Sequence, residues 1–231
     1  MRGFFVTGTD TGVGKTVAGC ALLRACNRLG WSTAAMKPVA SGCELTDDGL
    51  RNEDAVALMA SASVSHPYEA VNAVALEPAI APHLAAQEVG VSIDVDALAR
   101  GGEALAVDAD VLLVEGAGGW RVPLSASTAF PDLAQALGLP VVLVAGVRLG
   151  CINHALLTAE AIRRDGLTLA GWVANRLDPD DAFAAEQIAT LEARLAAPLL
   201  GVLPWIPDGP GPALADCIDD AVLVEALALP G

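Results

Sequence analysis

The sequence predicts a doubly wound α/β fold, a mostly parallel sheet flanked by helices. Three observations carry the prediction. Short β-branched runs alternate with helical patterns from end to end. Two of the runs, Val111-Leu112-Leu113-Val114 and Val141-Val142-Leu143-Val144, are apolar throughout instead of alternating, as central strands are when helices cover both faces. No internal repeat, low-complexity linker or shift in composition divides the 231 residues, so one domain over 1–231 is expected.

Taken in order, Gly3–Thr7 is the first strand, since Phe4-Phe5-Val6 is a short apolar run that meets a glycine-rich turn. The first helix follows at Lys15–Leu29. A second strand is expected over Ser32–Val39, then a helix over Asn52–Ala60, with Asn52 as its cap. A helix over Ile93–Ala106 leads to the apolar strand Asp110–Glu115. Helix Thr128–Leu137, strand Pro140–Val147, helix Ile152–Asp165 and strand Leu169–Asn175 repeat the alternation. Helix Asp181–Leu195 and strand Leu199–Leu203 come next, then a Pro/Gly-rich loop, Pro204–Pro212, and a last helix near Ala213–Leu227.

Composition narrows the function. Apolar residues make up 54% of the chain, too many for disorder. Thirteen Lys+Arg face 28 Asp+Glu, a formal charge of −15, which disfavours nucleic acid and polybasic membrane contacts alike. Asp, Arg, Gly and Pro interrupt every apolar stretch before a membrane-spanning length, despite the positive mean hydropathy. The N-terminus runs straight into a strand pattern with no signal-peptide features. Cys20, Cys26, Cys43, Cys151 and Cys217 form no CxxC pair, which suits a reducing cytoplasm. Eleven of the basic residues are Arg, and only Lys15 and Lys37 are Lys. An ammonium is a compact point charge on a flexible stem, so the neighbourhoods of these two carry weight.

The run Thr7-Gly8-Thr9-Asp10-Thr11-Gly12-Val13-Gly14-Lys15-Thr16 follows the first strand and opens the first helix. Its small residues let backbone N–H groups turn toward an anion at a helix N-terminus. Lys15 can reach outer phosphates, and the Thr16 hydroxyl can ligate Mg2+. Thr9 stands where the usual first glycine would be. Glu115, at the end of an apolar strand and before Gly116-Ala117-Gly118-Gly119, should face the same crevice, where a carboxylate can hold Mg2+. Lys37, in Met36-Lys37-Pro38-Val39, and Ser41 belong to a strand-end loop on that side. Asp54 is either a cap or a metal ligand. The helix start Gly150-Cys151-Ile152-Asn153 offers free N–H groups to a carboxylate or phosphate, although Asn153 could be only a cap. His66 reads as a surface loop residue, and neither His83 nor His154 has metal-ligand spacing. Asn175, at another strand end, has an amide able to read a nucleobase edge.

Together with Lys37-Pro38-Val39-Ala40-Ser41-Gly42, Arg51-Asn52-Glu53-Asp54, Val114–Trp120, Gly150–His154 and Gly171–Asn175, this loop resembles the dethiobiotin synthetase family, collinearly from residue 3 to about 206. The resemblance implies a P-loop fold and a cytoplasmic homodimer. It implies an ATP-dependent ligase that closes the ureido ring of dethiobiotin from 7,8-diaminononanoate and CO2 or bicarbonate, with Mg2+. It implies that Thr16, Asp54 and Glu115 hold the metal, and that Lys15, Lys37 and Thr11 are catalytic. Ser41 binds substrate in that reading, with Gly150, Cys151, Ile152 and Asn153 receiving its carboxylate in the other subunit. ATP falls to Gly12, Val13, Gly14, Lys15, Thr16, Val17, Glu115, Gly118, Asn175 and Pro204. Gly12 departs from relatives that carry Glu there, and residues 207–231 lie outside the resemblance. Partitioning and division-site ATPases share the expected fold, but carry a signature lysine where Asp10 stands. Amidating synthetases of cobalamin synthesis carry a glutaminase domain that has no counterpart here. Replacing Lys37 by Gln is expected to cost turnover far more than stability.

Overall fold

The computed structural model describes residues 1–206 and 211–228. Strand β1 (Gly3–Gly8) is buried throughout and ends in the phosphate-loop sequence. Helix α1 (Lys15–Arg28) starts directly from Gly14, whose φ of 84° is the left-handed conformation that glycine adopts without a Cβ penalty. Strand β2 (Thr33–Met36) and strand β3 (Val39–Ser41) follow. A small antiparallel hairpin, β4 (Glu44–Thr46) and β5 (Gly49–Arg51), leads into α2 (Glu53–Ser61). The short helix α3 (Tyr68–Val71), strand β6 (Val74–Leu76) and helix α4 (Pro82–Glu88) complete this excursion.

From there the alternation is regular. Helix α5 (Val95–Leu105) precedes β7 (Val111–Gly119), and α6 (Phe130–Leu137) precedes β8 (Val141–Val147). Helix α7 (Cys151–Arg164), β9 (Leu169–Arg176), α8 (Ala184–Arg194) and β10 (Leu199–Leu203) follow. A 3-10 turn (Pro212–Cys217) and α9 (Asp220–Leu227) close the described chain.

The main sheet has the order β10-β9-β8-β1-β7-β2, parallel at every pairing. Successive residues of a strand face opposite sides, and both sides are core. Phe5, Leu112, Val114, Leu143 and Trp172 pack on one face; Phe4, Val6, Leu113, Val142 and Val173 pack on the other. That is why these strands carry no polar alternation. The chain reverses its direction of winding around β1, with β7 on one side and β8 on the other. Ligands bind outside the strand C-termini at such a point, and the loop after β1 sits there.

Several expected boundaries shift for identifiable reasons. The second strand is not continuous over Ser32–Val39. It stops at Met36, because Pro38 has no N–H for a ladder, and β3 pairs with β6 in a separate two-stranded sheet. Glu115 does not end its strand; β7 runs on through four small residues to Gly119. Helix α6 starts two residues later than Thr128, α8 three later than Asp181, and α5 at Val95, after Asp94 accepts from the N–H groups of Asp96 and Ala97. The last expected helix splits into the 3-10 turn and α9, with Asp219 capping the latter. Residues 207–210 of the expected loop Pro204–Pro212 lie outside the described residues. His66 lies in the loop between α2 and α3, as expected, half-buried beside a small cavity, with its Nε2 buried and without a hydrogen-bond partner.

Candidate functional site

A cleft of about 670 Å³ opens outside the C-terminal ends of β1, β2 and β7. Its floor is the phosphate loop: Thr11, Gly12, Gly14, Lys15, Thr16 and Val17 line it. Gly12 and Gly14 take φ of 73° and 84°. At Gly14 a Cβ would come within 2.0 Å of Asn175 Nδ2, whereas at Gly12 it would meet nothing within 4 Å. Both left-handed φ values favour glycine, but only at Gly14 is there also no room for a side chain. Asp10 fastens the loop on three sides. Its Oδ1 accepts from the Thr11 N–H at 2.7 Å, its Oδ2 from Arg148 at 3.0 Å, and its carbonyl from Lys15 Nζ at 3.1 Å.

Lys15 is only 7% exposed, and that carbonyl is a weak partner for a full charge. Burial lowers its pKa below the ordinary lysine value, and the positive charge of Lys37 lowers it further. An anion in the loop would relieve both effects.

Lys37 stands across the cleft. It is buried, and its Nζ donates to Asp54 Oδ2 at 2.8 Å and to Glu115 Oε1 at 2.5 Å. Burial alone would discharge it, but the two carboxylates outweigh burial and hold its pKa above the ordinary value. Asp54 is likewise pushed up by burial and pulled down further by Lys37, ending below the ordinary carboxylate range. The Thr16 hydroxyl donates to the same Glu115 Oε1 at 2.9 Å. Glu115 Oε2 is buried with no partner. Thr16, Asp54 and Glu115 thus converge, and the cation between the carboxylates is an ammonium.

This donor set fits Mg2+. It consists of hard oxygens only, two carboxylates and a hydroxyl, and one carboxylate oxygen lacks a partner. Among the described residues no group of three or more His, Cys, Asp or Glu offers another metal site. Asp54 is not the cap of α2. Asn52 is, its side chain accepting from the Ala55 N–H at 3.2 Å, which leaves Asp54 in the first helical turn facing the cleft.

Beyond the charged floor, Ala40, Ser41, Ala117, Gly118 and Val122 form one wall and Ala79–Pro82 another. Asp54, Lys37, Ser41, Gly118 and the loop residues were all marked by the sequence. The wall 79–82 was not, because small and apolar residues in a loop carry no chemical signal.

Comparison with known proteins decides what family this cleft belongs to. A family model described as an AAA domain matches residues 2–212. A curated relative from Pseudomonas paraeruginosa, an ATP-dependent dethiobiotin synthetase, is 58% identical over 220 residues, 95% of this chain and 96% of that protein. One from Salmonella typhi with the corresponding name is 52% identical over 210 residues, 91% of this chain and 92% of its own length. The chain belongs to the dethiobiotin synthetase family. In fold it is also similar to a ParA family ATPase from Chlorobium tepidum, at TM-score 0.58 and 14% identity, covering 99% of this chain and 100% of that one. The signal recognition particle receptor FtsY from Elizabethkingia anophelis gives TM-score 0.53 at 14% identity, over 98% of this chain and 65% of that one. At such identity only the fold is shared. The chain is therefore a P-loop α/β protein and, by family, an ATP-dependent ligase.

Not every residue implied by the dethiobiotin synthetase resemblance lies in the cleft. Glu115 sits behind Lys37, fully buried. Val13 is buried under the loop, and Asn175, 6% exposed, donates from Nδ2 to the Val13 carbonyl at 3.0 Å. Pro204 is exposed. Gly150 is the N-cap of α7 with φ 96°, which makes Asn153 an exposed first-turn residue and not the cap. Cys151 is buried, with Sγ 3.2 Å from Gln187 Oε1. None of these helix-start residues lines the chain's own cleft, and Leu149 beside them is 98% exposed. No helix among the described residues is long and apolar enough to cross a membrane.

Proposed function

We propose that this chain forms the ureido ring of dethiobiotin from 7,8-diaminononanoate, CO2 and ATP, as one domain working in a homodimer. The observation that carries the reading is the pairing of two buried lysines across one cleft, one in a phosphate loop and one on two carboxylates. Membership of the family supplies the substrates.

In chemical terms, one amine of the substrate takes up CO2 as a carbamate and loses a proton. The γ-phosphoryl group of ATP passes to the carbamate oxygen, giving a carbamic–phosphoric anhydride and ADP. The second amine then attacks the carbamate carbon, phosphate leaves and the ring closes. Every species before ring closure brings anions together, so the site needs positioned cations more than an acid–base pair.

The loop amides of residues 12–16 and Lys15 bind the phosphates. Lys37 faces the transferring group from the opposite side and stabilises the charge on carbamate and phosphoryl oxygens. Preorganised donors of this kind are each worth roughly 2.7–4 kcal/mol in a barrier. Thr16, Asp54 and Glu115 are the residues that would hold Mg2+, which supplies charge neutralisation on the phosphates when bound. Thr11 and Ser41 contact the carbamate or diamine, and Gly118 leaves room beside them. Asn175 and the backbone near Pro204 take the adenine. The exposed start of α7, Gly150 to Asn153, serves the cleft of a second copy, receiving the substrate carboxylate on free helix N–H groups. Its absence from the lining of the chain's own cleft, and the exposed Leu149 beside it, support that assignment. The test is direct: incubation with 7,8-diaminononanoate, bicarbonate and MgATP should yield dethiobiotin, ADP and phosphate in equal amounts.

A further inference from the structure

The chain has a single tyrosine, and it lies between the two segments that carry Lys37 and Asp54. The Tyr68 hydroxyl accepts from the Asn52 N–H at 2.7 Å and donates to Asn72 Oδ1 at 2.9 Å. Asn72, 3% exposed, donates from Nδ2 to the Lys37 carbonyl at 2.7 Å. The backbone adds two further bonds here: the Lys37 N–H donates to the Val71 carbonyl at 2.9 Å, and the Val74 N–H to the Pro38 carbonyl at 3.0 Å. The segment around α3 therefore brackets the Lys37 peptide. On its other side, the hydroxyl holds the residue that caps α2, two positions before Asp54.

Only a hydroxyl can accept from one neighbour and donate to the other through a single oxygen. The ring is fixed independently, since the Arg51 guanidinium lies 4.1 Å from its centroid. Burial also holds the phenol above its ordinary pKa, so the donor proton is retained.

We infer that Tyr68 is a positioning residue: through Asn52 and Asn72 its hydroxyl sets the spacing of Asp54 and Lys37 across the cleft. The consequence for turnover rests on the function proposed above; the geometric claim does not. Removing the hydroxyl leaves the Asn52 N–H and Asn72 Oδ1 without their partner and loosens the spacing of the two segments, which the Lys37–Asp54 ion pair still joins.

The two lysines make the test direct. Lysine labelled with 13C at Cε and 15N at Nζ gives two side-chain signals, assigned by Lys37→Arg. Tyr68→Phe should shift and broaden the Lys37 signal while Lys15 stays in place. The Mg2+ concentration for half-maximal ATP binding should rise about fivefold, the scale of one hydrogen bond. In steady state kcat should fall, with the KM for the diamine within about twofold of wild type. Asn72→Ser, which cuts the relay one step later, should give the same lysine signature. Ser32→Ala removes hydrogen bonds outside the cleft and serves as the stability control. Unmoved lysine signals in both variants, or changes that Ser32→Ala reproduces, would overturn the inference. Should wild-type protein convert no diamine, the proposed function fails, and the lysine spectra and the Mg2+ titration still decide the role of Tyr68.

Discussion

Lys37 is bonded to a fully buried carboxylate and to a half-buried one, so replacing it has two separable consequences. Lys37→Met should lower turnover by at least about a hundredfold, the scale of a lost preorganised charge. It should also destabilise the fold by about 3 kcal/mol, because Glu115 is left buried without its counter-ion. Rapid-quench turnover and urea unfolding measure the two effects. The sequence suggested charge without structural weight at this position. The ion pairs, which join residues 17 and 78 positions apart, add the second consequence. Lys15 should behave in the opposite sense. Its pKa is lowered, so its charged form is disfavoured in the fold, and that cost is present at neutral pH and relieved only as pH rises through the folded value. Lys15→Met should therefore melt higher than wild type without nucleotide, while binding ATP about a hundredfold more weakly. A lower melting temperature in calorimetry would refute this. A count of two lysines was legible in the sequence. The single tyrosine is rarer still, but Tyr68 touches no expected ligand, so its place is visible only in the fold.

At the scale of elements, the phosphate loop has one rigid glycine and one free one. Gly14→Ala should cost at least about 1 kcal/mol from its left-handed φ alone. The collision with Asn175 adds to that, and nucleotide binding should be lost. Gly12→Ala faces open space and should cost only the φ penalty, about 1 kcal/mol, with binding retained. Equal effects of the two in calorimetric titration would contradict this distinction. The starts of β2 and β7 are joined by a reciprocal pair. Asp110 accepts from the Ser32 N–H and Oγ, and Ser32 Oγ accepts from the Asp110 N–H. The Ser32 hydroxyl and then its backbone N–H pull the Asp110 pKa down. A depressed carboxylate stabilises above its unfolded pKa, about 3.9, and loses that contribution as pH falls through the folded value. The stability gap between wild type and Ser32→Ala should be full at pH 6 and shrink in acid; a gap that widens in acid would refute the assignment. The long central strands β1, β7, β8 and β9 were legible because burial on both faces makes them mostly apolar. Strands β3 to β6 were not, since each is three residues long; β3 and β6 pair across a distant stretch of chain, and the hairpin β4–β5 is exposed or half-buried and lacks an apolar run. Pro38 lies inside the strand expected over Ser32–Val39 and breaks it. Its effect, which moves the chain from one sheet to another, depends on β6, and nothing local encodes that.

For the whole molecule, the charge of −15 and the site are of opposite character. The acidic surface disfavours polyanions, while the cleft gathers both lysines around a place for phosphates. The parallel sheet is common to switch ATPases and to ligases, so fold alone left the class open. The curated relatives separate them: they are dethiobiotin synthetases at 52–58% identity. Asp10, at the position where a switch ATPase is expected to carry a second lysine, is tied to Arg148 and the loop backbone. The measurement that tests the central claim most directly follows dethiobiotin formation by mass spectrometry with 7,8-diaminononanoate, 13C-bicarbonate and MgATP. The predicted result is one labelled carbon in the ureido carbonyl for each ADP released, lost when either the diamine or bicarbonate is omitted. ATP hydrolysis that ignores the diamine and is stimulated by DNA or lipid would contradict the account.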